Sequence, residues 1–466
     1  MESQSMTDLP RRKFLSPDLS EFDLDLIGQP FPFFQPIISI EDKKIIGYEV
    51  LARGQTSLGK VRSLGPLLQS PSVSEYDKRI IDHTVREEAL RKFKASGLSD
   101  SSMLFLNIHP HRLLDTIEIE AQDPLFVTGL EAAAKNIENS PTIKMLRHYG
   151  ISPSHIILEI TEHEFYYEPA LITHLVKCYR DLGFSIALDD FGSGASNLDR
   201  LGEIHPEFIK LDLNLMRKGF SRNTFKEILR SIANLAEKLG SRILVEGIEH
   251  ENEIIGSLDI GASLLQGFYT GHPLPDFLSG QDIQENVLTL LNHFRNTKLK
   301  EMKNLLSFQK ALSDHYFSHH LADKFLAFFQ SEAPNDRCKT EILSFFSPLW
   351  KTHLRSVYLI NSLGIQRSPN FNFVQSPDHN FYWNMDERQK GRDLSMKPYF
   401  LQFLARIDIN DTHWFFSDPF LDIKTAETRV TMVHRFRFYD RTKLLCLDFN
   451  ISHLHDPLWH NRSQVQ

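Results

Sequence analysis

The chain has 466 residues, 41% hydrophobic and 24% charged, with 22 Gly and 22 Pro, which excludes collagenous, low-complexity and wholly disordered classes. Its 60 acidic against 52 basic residues give a net charge of -8, so no overall field draws it to duplex nucleic acid, and a phosphate-bearing substrate would need metal ions to supply local positive charge. Three widely spaced cysteines, Cys178, Cys338 and Cys446, fit neither a disulfide framework nor a Cys-based zinc site and suit a reducing compartment.

In chain order, residues 1–25 read as an N-terminal extension without the apolar core of a signal peptide. No run approaches the roughly 18 to 20 apolar residues of a membrane-spanning helix, so a cytoplasmic location with no membrane span is expected. Residues 26–280 alternate short branched or aromatic runs with amphipathic stretches. The strand-like runs are FFQPIISI (33–40), IIGYEVLARG (45–54), MLFLNI (103–108), HIILEIT (155–161), FSIALDDFG (184–192), FIKLDL (208–213), RILVEGI (242–248) and LLQGFY (264–269). Helix-like segments such as EPALITHLVKCYRDLG and NTFKEILRSIANLAEKLG lie between them, each ending in a Gly suited to a left-handed cap. Eight strands separated by helices predict an α/β fold of the (β/α)8 TIM-like barrel type, although periodicity alone also allows an open doubly wound sheet.

Active sites of such barrels lie at the C-terminal strand ends. Here the strand-like runs end in Glu49, Asn107, Glu159, Asp189 with Asp190, Lys210, Glu246 and Gln266. One polar strand end is ordinarily a cap or turn residue; seven point to a shared site. Carboxylates converging there would repel one another unless cations neutralised them. All-oxygen donors without Cys or His favour two hard ions, Mg2+ or Mn2+, over zinc. The adjacent Asp189 and Asp190 suit a bridging ligand and its neighbour. Paired hard metals with Lys210 describe phosphate-ester hydrolysis. The segment FGSGASN (191–197) lacks the Lys-Ser/Thr of a P-loop and reads as a turn that moves over substrate.

Residues 281–332 contain no Gly or Pro and predict a helical linker, either one long helix or a helix pair. Residues 333–466, with alternating aromatic segments such as RVTMVHRFRFYD and KLLCLDFNIS, predict a smaller α+β domain with an antiparallel sheet. The paired His319 and His320 lack any carboxylate spacing that would mark a metal site.

The segments YEVLARG, FLNIHP, LEITEHE, ALDDFGSGASNL, EFIKLDL, LVEGIEHENE and LLQGFYTGHPLP, in this order, resemble the successive motifs of the EAL-domain cyclic di-GMP phosphodiesterases. The resemblance implies a barrel with one strand antiparallel to the rest that linearises cyclic di-GMP to pGpG with two Mg2+ or Mn2+ ions. It implies that Glu49, Asn107, Glu159, Asp189 and Asp190 hold metal, that Glu246 orients or deprotonates the attacking water, and that Lys210 sits against that water and the scissile phosphate. Gln35, Leu51, Arg53, Asp212 and Gln266 would contact or support substrate, and Glu162 and Glu249 would anchor the loop beginning at Phe191. Two departures stand out: Val50 where the family usually has Ala, and His272 where it usually has Arg. Val50, by strand alternation, should face the helical layer and leave the ligands alone.

A rival reading is a catalytically weak or inactive EAL-type receptor or interaction module that binds cyclic di-GMP without turnover; against it, every metal position and Glu246 are present. No GGDEF-like synthase motif occurs. The segments RQKGRDLSMKPYFLQFL and HWFFSDPFLDIKTAETRVTMVHRF resemble PAS-like or Cache-type sensor domains, implying a small-molecule ligand. A dimerisation domain without ligand remains the alternative. A homodimer regulated by the C-terminal domain is expected.

Overall fold

The computed structural model describes residues 30–55, 59–70, 73–108, 137, 140–161, 169–192, 198–212, 215–217, 223–278, 285–330, 342–375, 381–410, 413–422, 425–438 and 441–454. The chain divides into two units, Met1–Phe294 and Arg295–Gln466, taken here one at a time.

In the first unit the strands are β1 (Phe31–Ser39), β2 (Lys44–Gln55), β3 (Val61–Ser63), β4 (Met103–Asn107), β5 (Ile156–Thr161), β6 (Ser185–Phe191), β7 (Phe208–Leu211), β8 (Arg242–Val245) and β9 (Leu264–Leu265). Their order is β1-β9-β8-β7-β6-β5-β4-β2-β3, and β1 also pairs with β2, so eight strands close on themselves. The pairs from β2–β4 to β8–β9 are parallel. β1 runs antiparallel to both of its neighbours. Among the described residues, closure leaves β3 as a flap on β2; the sequence did not announce it, because its three residues are all exposed and show no alternation.

Helices cover the outside, with ends written in the sequence. Ser74 and Ser140 accept hydrogen bonds from the backbone N–H of Asp77 and Ile143 at the starts of Glu75–Ala95 and Pro141–Tyr149, and Gly150 stops the second with φ 62. Side chains alternate along each strand, so one set packs under the helices and the other fills the barrel. The inner set includes Ile37, Phe105, Ile157, Ala187, Phe208, Leu244 and Leu264. This apolar layer plugs the barrel, so anything inward-facing two residues further along a parallel strand lies on top of it. Val50 is 7% exposed and belongs to the outer layer with Ile81 and Val85 of the covering helix.

The helix Glu285–Ser318 contributes to both units: Val287, Leu290 and Leu291 pack in the barrel's outer core, and Phe308, Leu312 and Tyr316 pack in the core of the second unit. A second helix, Leu321–Gln330, follows with His320 at φ 51 between them. The segment expected as a linker is therefore a helix pair with its own core residues. The second unit's strands are β10 (Leu354–Asn361), β11 (Asn370–Gln375), β12 (Phe381–Asp386), β13 (Trp414–Phe416), β14 (Phe420–Asp422), β15 (Glu427–Phe438) and β16 (Arg441–Asn450). They form one antiparallel sheet in the order β12-β11-β10-β16-β15-β13, with β14 also on β15. One face packs Val357, Leu359, Val430, Leu445 and Leu447 against the helix pair. The other packs Tyr358, Phe415, Val433 and Cys446 against Phe400 and Phe403 of the helix Pro398–Asn410. Cys178 and Cys446 are free thiols; Cys338 lies outside the described residues. Among the described residues no helix is long and apolar enough to cross a membrane.

Candidate active site

Two residues beyond the plugging layer, on the same face of each strand, stand Asn107 after Phe105, Glu159 after Ile157, Asp189 after Ala187, Lys210 after Phe208, Glu246 after Leu244 and Gln266 after Leu264. Register supplies the remainder: Gln35 of β1 lies opposite Glu49 of β2. The period of two thus gathers residues more than 200 positions apart in sequence onto one floor.

Lys210 occupies the middle, 1% exposed. Its Nζ lies 2.6 Å from Glu159 Oε1, 2.6 Å from Glu246 Oε1, 3.3 Å from Asp189 Oδ1 and 3.5 Å from Glu49 Oε1. Burial pulls its ammonium down, but the four carboxylates together push it well above the usual lysine value. Burial pushes Glu159 and Glu246 well above the usual carboxylate range against the pull of Lys210, and the neighbouring carboxylates add to the rise. One cation set among four acids leaves the cluster short of positive charge.

The amides tie the rim together. Gln266 Nε2 donates to Glu49 Oε2 at 2.5 Å and to Gln35 Oε1 at 3.3 Å. Gln35 Nε2 in turn donates to Gly271 O at 3.2 Å. Asn107 is exposed and its Nδ2 lies 3.4 Å from Glu49 Oε1. This chain from Glu49 to Gly271 is not written in any one motif; only the Gln35–Glu49 register could have disclosed it.

Asp190 breaks the alternation. Its φ is 54, left-handed for a residue with a side chain, its N–H donates to Asp189 Oδ1 at 2.8 Å, and the β6–β7 register shifts between Leu188 and Phe191. A bulge of this kind re-aims a side chain that a regular strand would turn away from its neighbour's face, and its strain is held by the surrounding sheet.

The other expected residues lie nearer the mouth or outside the cluster. Leu51 and Arg53 continue the inner face of β2, opposite Phe33 and Phe31. Arg53 Nη1 donates to Ala52 O at 3.0 Å, and its guanidinium lies 5.7 Å from the centre of the Phe33 ring. Asp212 follows β7. Glu249 lies 3.6 Å from Arg217. Glu162 and residues 193–197 lie outside the described residues.

Oxygen atoms of Glu49, Glu159 and Glu246 lie within 4.8 Å of one another. Lys210 Nζ takes up Glu159 Oε1 and Glu246 Oε1, each at 2.6 Å, and leaves the buried Glu159 Oε2 without a partner. Hard oxygen donors sharing one space, with Glu159 Oε2 unpartnered, fit a divalent cation.

The family model for the EAL domain matches residues 26–273. The chain belongs to that family. Residues 283–457 match the EAL-domain associated signalling protein domain. The Bacillus subtilis YkuI protein, described as an uncharacterized EAL-domain containing protein, is 27% identical over 432 residues, which cover 92% of this chain and 96% of YkuI. The cyclic di-GMP phosphodiesterase RocR of Pseudomonas aeruginosa is 29% identical over 273 residues, covering 58% of this chain and 64% of RocR. The crystal structure of YkuI in complex with substrate c-di-GMP and calcium aligns with a TM-score of 0.72 at 24% identity, over 91% of this chain and 97% of that one. That likeness extends the shared fold through both units of this EAL-domain protein.

Proposed function

We propose that this EAL-domain protein hydrolyses cyclic di-GMP to linear pGpG. The observation that carries the reading is the ring of four carboxylates around the buried Lys210 at the C-terminal ends of the barrel strands. The relatives' names, RocR's above all, supply the substrate.

Two divalent cations, Mg2+ or Mn2+, held by Glu49, Asn107, Glu159, Asp189 and Asp190, would supply the positive charge that eases deprotonation of water and offsets charge on the phosphoryl oxygens. The chain's own groups do the rest. Glu246, at the end of β8 and 2.6 Å from Lys210 Nζ, takes the proton of the attacking water on its carboxylate. Lys210 keeps its charge, donates toward a phosphoryl oxygen and holds Glu159 and Glu246 in place. Gln266 and Asn107 hold Glu49. Gln35, Leu51, Arg53 and Asp212 form the substrate side of the mouth, while Glu162 and Glu249 anchor the loop after Phe191.

We further propose that the protein works in the cytoplasm as a homodimer, and that residues 333–466 act as a PAS-like sensor domain, reached through residues 281–332, whose small-molecule ligand sets the activity of the 26–280 barrel. The test is to incubate the full chain with cyclic di-GMP and Mg2+ or Mn2+, resolve the nucleotides, and repeat with chelator. Metal-dependent pGpG supports the reading. Tight binding without pGpG places the protein among receptors, and light scattering that gives a monomer removes the dimer.

A further inference from the structure

We propose that Arg217 and Glu253, both outside the carboxylate cluster, form a clamp that positions Glu246 for proton transfer by tying the turn after β8 to the turn after β7. The inference rests on the hydrolase reading above and adds to it two positioning residues. Glu246 follows the last residue of β8, and its own N–H donates to Leu211 O at 3.2 Å. Gly247 then turns the chain at φ 69, and Ile248 N–H donates to Gln266 O at 3.1 Å. The next two N–H groups, of Glu249 and His250, both donate to Glu253 Oε2, at 2.8 and 3.1 Å. Glu253 is the third residue of the helix Glu251–Ile260, and a carboxylate that reaches back in this way caps the helix.

A cap needs neither burial nor a distant cation, and Glu253 has both. Its side chain is 4% exposed. Its second oxygen, Oε1, accepts from Arg217 Nε at 3.2 Å and lies 3.1 Å from Arg217 Nη2, across 36 positions of sequence. The same Nη2 lies 3.6 Å from Glu249, so the guanidinium fork is held by two acids of the β8 turn.

Each half of the clamp is fixed to the barrel. On the β7 side, Leu215 and Met216 N–H donate to Asp212 O at 3.1 and 3.3 Å, and Met216 is fully buried in the outer core. Leu215 lies against Gly192, where an added Cβ would stand 2.4 Å from Leu215 Cδ2. On the β8 side, Ile254 is fully buried in the same core. The clamp therefore joins the turn just beyond Lys210 to the turn just beyond Glu246, and fixes the approach of these two side chains, 2.6 Å. A general base displaced by about 1 Å can lose about a hundredfold in rate. Acting through Glu246, the clamp shows in kcat and leaves affinity alone.

The experiment compares the wild-type full chain with Glu253→Gln, Arg217→Met, the double variant, Arg217→Lys and Ser74→Ala, measuring kcat and KM for pGpG formation and Kd for cyclic di-GMP in saturating Mn2+, with thermal midpoints. Glutamine keeps an oxygen for the two N–H groups but turns an amide donor toward Arg217, so the cap survives and the clamp does not. Ser74→Ala removes the cap of a helix away from the site and reports loss of stability alone. The expected result is a fall in kcat of about tenfold in Glu253→Gln and in Arg217→Met, no further fall in the double variant, KM and Kd within about threefold of wild type, most of the rate restored in Arg217→Lys, and an unchanged kcat in Ser74→Ala. An active wild type matched in kcat by both single variants overturns the clamp alone, as does a loss that appears in KM and Kd with kcat unchanged, or an equal loss of kcat in Ser74→Ala. A wild type that yields no pGpG overturns the hydrolase reading and the clamp with it.

Discussion

Lys210 Nζ stands 2.6 Å from Glu246 Oε1, with three further carboxylates in reach. Removing one partner of a buried ion pair leaves uncompensated charge and costs roughly 3 to 5 kcal/mol. Lys210→Met should therefore lower the denaturation midpoint strongly in chelator and recover much of that loss in Mg2+ or Mn2+, more than the wild type gains from the same ions. Thermal melts of both proteins with and without metal check this; an unshifted midpoint in chelator would show that the carboxylates do not depend on the lysine.

Glu246 and Glu49 should separate by role. Glu246→Gln keeps the shape of the side chain and removes its basicity, so turnover should fall by about a hundredfold or more while cyclic di-GMP is still bound. Glu49→Ala also strips Gln266 of its acceptor and should lose turnover and metal-dependent binding together. Paired rate and binding measurements decide, and near-native rates in both variants exclude the site.

Val50 belongs to the apolar layer between the strands and the covering helices, away from the residues that plug the barrel. Val50→Ala should cost about 1 to 3 kcal/mol in denaturant unfolding, for two buried methyl groups and the cavity they leave. It should change turnover by less than about tenfold. A much larger gain in rate would mean that the valine disables the enzyme.

Acid should weaken the second unit through its histidines. His353, stacked on His453 at 4.3 Å, is held at about 4 by burial, with His453 and Arg355 adding to the shift. His434, bonded to Tyr316 at 2.9 Å, is also held at about 4, by burial first and His413 second, while Asp323 acts the other way. Folded values below the ordinary 6.5 mean that the unfolded chain binds more protons between about pH 6.5 and 4. The contribution to stability is thus complete above 6.5 and is lost as pH falls toward 4. Denaturant midpoints of the wild type across this range should fall more steeply than those of a His353→Gln, His434→Gln double variant; parallel curves would refute the assignment.

The floor of the site was legible because each polar residue ends a short apolar run, and the alternation that plugs the barrel with Phe105, Ile157 and Phe208 also lifts Asn107, Glu159 and Lys210 above the plug. The bend at Asp190 was not legible, since a left-handed aspartate has no local signature and follows from the register shift between β6 and β7. Nor was the end of the run LLQGFY: β9 stops at Leu265 because Gly267–Gly271 closes a turn that the apolar pattern conceals. The uninterrupted helical pattern after residue 281 could not mark where one core gives way to the next, because Leu291 and Phe308 are alike as sequence and differ only in what they pack against.

The position of Lys210 separates folding from metal supply. Many metal sites are assembled only when the ion arrives, so that a scarce ion leaves the chain unfolded. Here the Lys210 ammonium already stands among the acids as a resident counterion. On the proposed two-metal reading the ion would govern rate and leave the architecture intact, so that a change in free Mg2+ or Mn2+ would throttle the reaction without unfolding the barrel.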